Sequence, residues 1–266
     1  MATEIFFITG TDTGVGKTVL TALLLSSLRA RGARALALKP FCSGTRADAE
    51  LLHSLQEGEV SLDEVNPFYF AEPVAPLVSA RRHRKHVPIK KVTDHVEAML
   101  ARLRGGVRSS ANRKAEKSKA AAQSFLLIEG SGGLLVPLGE GYTVLDLMLR
   151  LRCHVLVVSR NQLGTINHSL LTLSGLRRGA DAPRRRAQRG GSGFRSIKMV
   201  LMDQRSPDIS SRTNARVLRE WIGAVPLIQL PYLGPKIGSV GAIRANAPQV
   251  QENLQRCWSN DRIPSR

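Results

Sequence analysis

An apolar run, Ile5-Phe6-Phe7-Ile8, leads at once into Gly10-Thr11-Asp12-Thr13-Gly14-Val15-Gly16-Lys17-Thr18, and the chain continues as Val19-Leu20-Thr21-Ala22-Leu23-Leu24-Leu25. A buried strand, a glycine-rich loop and a helix in that order make a phosphate cradle. Gly14 and Gly16 let the backbone curl until its N–H groups point inward at phosphate oxygens, and the helix start adds its positive dipole end. Lys17 can reach the terminal phosphates, and the Thr18 hydroxyl is placed to ligate Mg²⁺. Val15 and Val19 complete the nucleotide-binding stretch. The loop departs from the usual GxxxxGK[ST] spacing by one residue, because its first glycine is Gly10. That departure points away from ordinary ATPases and toward one branch of the nucleotide-binding proteins.

At 266 residues the chain suits one α/β domain, long enough to bury a full sheet between helix layers. Strand signals fall at 5–9, 35–39, 124–129, 154–159, 197–202 and 226–230, and helix signals at 19–30, 48–57, 93–103, 143–151, 166–176 and 214–221. The strand runs are short and apolar without alternation, as expected of strands covered on both faces. This alternation predicts a doubly wound, mostly parallel sheet of the P-loop NTPase type, with helices on both faces and ligands at the carboxyl ends of the strands. A single domain over 1–235 is expected. The polar remainder, 236–266, reads as an irregular tail that adds little to the core.

The formal net charge of +18 looks like a nucleic-acid signature until it is located. Three stretches, 81–91, 104–119 and 177–198, account for all of it, and the rest of the chain is formally neutral. The second and third are also rich in Ala, Ser and Gly, so they read as basic insertions between regular elements. No nucleic-acid motif with interleaved aromatics accompanies them, and a nucleic-acid partner is not expected. No run is long enough for a membrane span, and the N-terminus enters a strand rather than a signal peptide. Cys42, Cys153 and Cys257 show neither metal nor disulfide spacing, which suits a cytoplasmic setting.

If ligands gather at strand ends, the residues after each strand become the candidates. The second strand closes on Lys39-Pro40-Phe41-Cys42-Ser43-Gly44, so the Lys39 ammonium would project toward phosphates held by the first loop. Ser43 offers a hydroxyl in the same loop. Asp48 stands at a helix start, where an acid is ordinarily a cap but can also reach a metal. The third strand closes on Glu129-Gly130-Ser131-Gly132-Gly133, an acid at the end of an apolar strand followed by glycines that admit a phosphate chain. Burying such an acid is costly without a partner. Thr18, Asp48 and Glu129 together make an all-oxygen set suited to Mg²⁺.

These motifs, with Asn66-Pro67-Phe68-Tyr69-Phe70-Ala71-Glu72-Pro73-Val74-Ala75-Pro76, Leu163-Gly164-Thr165-Ile166-Asn167-His168 and Pro231-Tyr232-Leu233, resemble the dethiobiotin synthetase family over most of residues 3–235. The resemblance implies the penultimate step of biotin synthesis, in which 7,8-diaminopelargonate, CO₂ and ATP give dethiobiotin, ADP and phosphate. It implies that a carbamate of the diamine attacks the γ-phosphate and that the second amine then closes the ring and expels phosphate. Such chemistry needs positioning and electrostatics more than a strong base. Lys17 and Lys39 would offset anionic charge, and Thr13 and Ser43 would orient the carbamate and the diamine. The resemblance also implies a homodimer in which Gly164 and Asn167 lie on a loop that holds the substrate's carboxylate tail. Asn167 reads equally well as an ordinary helix cap.

One departure concerns the base. Where the family commonly places an asparagine to read it, this chain has Met202-Asp203, so selectivity for ATP over another triphosphate is expected to relax. Asp203 and the backbone of Pro231, Tyr232 and Leu233 remain candidates for base contact. Rival readings fit less well. Partition-type ATPases carry a lysine five residues before the loop lysine, where this chain has Asp12, and a corrin amide synthase needs a glutaminase domain for which the chain has no room.

Overall fold

The structure, a computed structural model, describes residues 3–105, 123–181 and 193–259. Six strands build one parallel sheet: β1 (Glu4–Gly10), β2 (Arg34–Leu38), β5 (Ser124–Gly133), β8 (His154–Arg160), β9 (Ser196–Met202) and β10 (Leu227–Leu230). Across the sheet their order is β2-β5-β1-β8-β9-β10. All six match the sequence expectation, because strands covered on both faces carry unbroken apolar runs. Phe7, for instance, sits opposite Ile128 and Val155 and is fully buried. After β1 the chain leaves toward one edge and after β8 toward the other. Their loops therefore part and open a crevice at the carboxyl ends, where ligands bind in such sheets.

On one face α1 (Lys17–Ala30) packs with α2 (Ala47–Leu55) and with two helices near the C-terminus. On the other face lie α5 (Ile89–Gly105), α6 (Val144–Leu151), α7 (Thr165–Asp181) and α8 (Ser211–Trp221). The short helices α3 (Leu62–Val65) and α4 (Pro76–Arg82) and the paired strands β3 (Phe41–Ser43) and β4 (Phe68–Phe70) carry no signal in the sequence reading. A hairpin of β6 (Pro137–Gly139) and β7 (Tyr142–Thr143) leads into α6.

The expected irregular tail is the main correction. Residues 240–258 form α9 (Val240–Asn246), a 3₁₀ turn (Pro248–Val250) and α10 (Gln251–Trp258). Ile243, Ala247, Val250, Leu254 and Cys257, spaced alternately by four and three, form a buried stripe against α1 and β10. The polar composition hides that stripe. Lys198, on β9, donates to the carbonyls of Arg256 (2.7 Å) and Ser259 (2.6 Å) and so anchors the last helix. The expected basic insertions lie largely in residues 106–122 and 182–192, outside the described residues. Their flanks are regular, since 177–181 closes α7 and 196–198 opens β9.

At the amino end of the sheet His154 stacks on Phe6, with ring centroids 4.7 Å apart, and bonds Ser196 Oγ (2.7 Å) and Glu4 Oε2 (3.0 Å). Burial holds its pKa below the ordinary value despite the Glu4 carboxylate. The unfolded chain therefore takes up a proton that the folded chain resists, and stability falls as pH drops below the ordinary histidine value of about 6.5. His154→Phe should flatten the fall in melting temperature below about pH 6.5 relative to the parent. Parallel melting curves for the two proteins would remove this histidine as the cause.

Candidate active site

The loop after β1 carries its curl at two glycines. Gly14 has φ 65° and Gly16 φ 102°, left-handed values that only glycine adopts without strain. Gly16 directly precedes α1. Among the described residues the amides of Gly14, Val15 and Gly16 have no backbone acceptor, which leaves them for an anion. Lys17 is buried and its ammonium donates to the Asp12 carbonyl at 2.8 Å, folded back along the loop. Burial, with Lys39 nearby, lowers its pKa to about 8.

Lys39 follows β2, and its ammonium meets Glu129, at the sixth position of β5 in the neighbouring strand. It also lies 3.2 Å from the Gly130 carbonyl and 3.3 Å from Asp48 Oδ2. A lysine has three donors, and three acceptors surround this one. Burial alone would depress the Lys39 pKa, but the Glu129 and Asp48 carboxylates outweigh it and hold the ammonium charged. Thr18 Oγ1 donates to the same Glu129 oxygen at 2.8 Å. Glu129 is 1% exposed, and its other carboxylate oxygen is buried with no partner among the described residues.

The backbone at Lys39 is fixed from below. Its amide donates to the Val65 carbonyl (2.9 Å), and the buried Asn66 side chain donates to its carbonyl (2.7 Å). Asn66 opens the segment that also supplies β4, so the 66–76 stretch supports Lys39 and then walls the site. A side chain on Gly44 would strike Pro73 at 3.1 Å. Between the loops after β1, β3 and β5 and this wall lies a cavity of about 600 Å³. Thr13, Gly14, Gly16, Lys17, Thr18 and Val19 line one side, and Lys39, Ser43, Asp48, Glu129, Ser131 and Gly132 line the other. The Ser43 hydroxyl is buried without a partner among the described residues, whereas Ser131 donates to the Phe41 carbonyl at 2.7 Å. Gly130 contributes its carbonyl to Lys39 rather than a wall.

Other candidates lie apart. Val15 is buried behind the loop. Met202 lies across Gly16, where an added Cβ would come within 3.2 Å of its Cε. Asp203 accepts from Asn161 Nδ2 and Gln229 Nε2, both at 2.8 Å, so its carboxylate is tied into a side-chain network. Its amide donates to the Leu230 carbonyl, which places Pro231, Tyr232 and Leu233 beside it along the carboxyl edge. Gly164 and Asn167 are exposed at the start of α7 and do not line this cavity. Asn167 is the third residue of α7, inside its first turn, and so is not its N-cap. The sequence reading missed Arg160, at the end of β8, which grips the loop. Its Nε and Nη2 both donate to the Gly14 carbonyl, at 2.9 and 2.6 Å.

A family profile described as an AAA domain matches residues 4–234. The ATP-dependent dethiobiotin synthetase BioD of Anaeromyxobacter sp. (strain Fw109-5) is 41% identical over 64% of this chain and 70% of that protein. The enzyme of the same name from Bacillus velezensis is 31% identical over 89% of this chain and 88% of its own length. Among solved structures, a ParA family ATPase from Chlorobium tepidum superposes with TM-score 0.52 at 11% identity, covering 98% of this chain and 99% of that one. The MinC:MinD complex of Aquifex aeolicus gives TM-score 0.54 at 16% identity, covering 99% of this chain and 98% of that one. At such identities the structures speak for the shared fold alone.

Proposed function

This chain belongs to the ATP-dependent dethiobiotin synthetase family, and from that premise we infer that the cavity between the first loop and Lys39 is where the ureido ring closes. The protein is a ligase of biotin synthesis: diaminopelargonate, CO₂ and ATP become dethiobiotin, ADP and phosphate. The observation that carries the residue assignment is the pairing of two buried lysines across one cavity, with Lys17 on the loop and Lys39 on the buried Glu129. A cavity of about 600 Å³ is large enough for a triphosphate tail and a small diamine together.

A carbamate is already a nucleophile, so the residues have to gather anions and align them. The free amides of the loop and Lys17 take the phosphates. Lys39 has both carboxylates and Gly130 as partners, and trades one of them for the oxygen of a carbamate or γ-phosphate as charge builds there. Thr13, exposed at the rim, and Ser43, with its unpartnered hydroxyl, orient the carbamate and the free amine.

Mg²⁺ fits the donor set. The orphaned Glu129 oxygen asks for a cation; Asp48 lies beside the Lys39 ammonium that Glu129 holds, and the Thr18 hydroxyl donates to the other Glu129 oxygen. Among the described residues no three His, Cys, Asp or Glu side chains cluster. The ion would therefore share two carboxylates and a hydroxyl with phosphate oxygens and water, the habit of Mg²⁺. When bound it supplies charge neutralisation on the phosphates.

We extend the reading to a homodimer in a cytoplasmic setting. Leu163 and Leu171 are 80% and 63% exposed at and along α7, and Gly164 and Asn167 sit between them, which suits a second copy whose cavity receives this helix start. The three cysteines are unpaired and buried, and no helix among the described residues is long and apolar enough to cross a membrane.

Incubation of the purified protein with diaminopelargonate, bicarbonate, Mg²⁺ and each triphosphate in turn tests the assignment. Dethiobiotin is expected with ATP, and at comparable kcat/KM with at least one other triphosphate, because a methionine thioether cannot donate to and accept from a base as an amide does. Absence of product with every triphosphate would overturn the reading. A strict ATP preference would remove only the role given to Met202.

A further inference from the structure

Arg160 is not among the residues assigned above, yet it makes the closest side-chain contact to the curl of the loop. It ends β8, the strand beside β1, and reaches across to place both Nε (2.9 Å) and Nη2 (2.6 Å) on the Gly14 carbonyl. Space for this grip exists because residue 14 is glycine: a Cβ there would lie 2.7 Å from Arg160 Nη2. Two charged donors converging on one neutral carbonyl are more than that group needs for satisfaction. Such bonds are about twice as strong as neutral ones.

The peptide geometry gives the grip its consequence. In a trans peptide the C=O of one residue and the N–H of the next point in opposite directions. A guanidinium that holds the Gly14 oxygen outward therefore turns the Val15 N–H inward, and it also polarises the peptide so that this N–H becomes a better donor. That amide is one of the three with no backbone acceptor among the described residues.

We propose that Arg160 is a positioning residue for the triphosphate: it sets the Val15 amide, and with it the anion-binding curl, from the neighbouring strand. The proposal rests on the reading of the loop as the triphosphate site, but not on the identity of the second substrate. Asp203 and Lys17 do not duplicate the grip, since Asp203 is bound to Asn161 and Gln229, and Lys17 to Asp12.

Calorimetric titration of Arg160→Ala and Arg160→Lys with ADP and a non-hydrolysable ATP analogue tests it. Arg160→Ala is expected to weaken both nucleotides about ten- to a hundredfold, the range for a hydrogen bond to a charged group. KM for ATP should rise with it while KM for the diamine stays within about threefold, and the melting temperature should stay close to the parent's, because the side chain is half exposed. Lysine, a point charge without the fork, should restore only part. Added guanidinium chloride at low millimolar concentration should restore nucleotide affinity to the alanine variant, which a merely structural loss would not allow. Affinity within threefold of the parent, or a loss that guanidinium leaves untouched, would overturn the proposal. A parent protein that binds nucleotide but forms no dethiobiotin would instead overturn the proposed function and leave this inference standing.

Discussion

Lys39→Ala is expected to lower turnover about a hundred- to a thousandfold, the usual effect of removing one preorganised donor from a developing charge. Triphosphate affinity should stay within about threefold, because the loop amides and Lys17 carry most of the phosphate contact. The two lysines are not interchangeable. Lys17 is pulled down to about 8 by burial and by its neighbour Lys39, with no carboxylate in direct contact. Lys39 is as deeply buried but stays charged, held between Glu129 and Asp48. Its charge is thus pre-set at the place where a carbamate would sit, between Ser43 and the loop. Single-turnover assays with the alanine variant separate binding from chemistry, and near-normal turnover would take this residue out of the reaction.

Much of this was legible from residue order. The six parallel strands are unbroken apolar runs, and each of the six helices anticipated between them forms, because burial on both sides of a sheet leaves a strong mark on composition. The cavity was legible for a related reason: residues following parallel strands share one edge, so Thr18, Lys39, Ser43, Asp48 and Glu129 were bound to meet if the sheet formed. The losses also have physical causes. Helix α9 is only seven residues long and α10 is polar in composition, and their buried stripe is narrow. Strands β3 and β4 are three residues each, too short to show a period. Arg160 sits in a basic chain where one more arginine carries no signal, and only the backbone partner it grips sets it apart. The tie between Asp203, Asn161 and Gln229 likewise joins three separate segments, which no local pattern displays.

Glu129→Gln is expected to remove turnover about as fully as Lys39→Ala, but for a different reason, and the difference can be measured. Glutamine keeps one oxygen to accept from Thr18 and Lys39. In place of the orphaned Oε2 it puts a neutral amide nitrogen, which can no longer accept a metal ion. It also removes the charge opposite a buried ammonium, and breaking such a pair on one side costs about 3–5 kcal/mol. Asp48, 3.3 Å from Lys39 and half exposed, recovers part of that, so the low end of the range is expected in urea unfolding. Lys39→Met combined with Glu129→Gln removes both charges of the pair together. Replacing both partners of a buried pair is often close to neutral, so the double variant should regain most of the lost stability. It should regain none of the activity, and titration with Mn²⁺ in the presence of ADP should show binding weakened in both variants that carry glutamine. A double variant that recovers turnover along with stability would take both Lys39 and Glu129 out of the reaction. Tight Mn²⁺ binding without this carboxylate would move the metal to other oxygens.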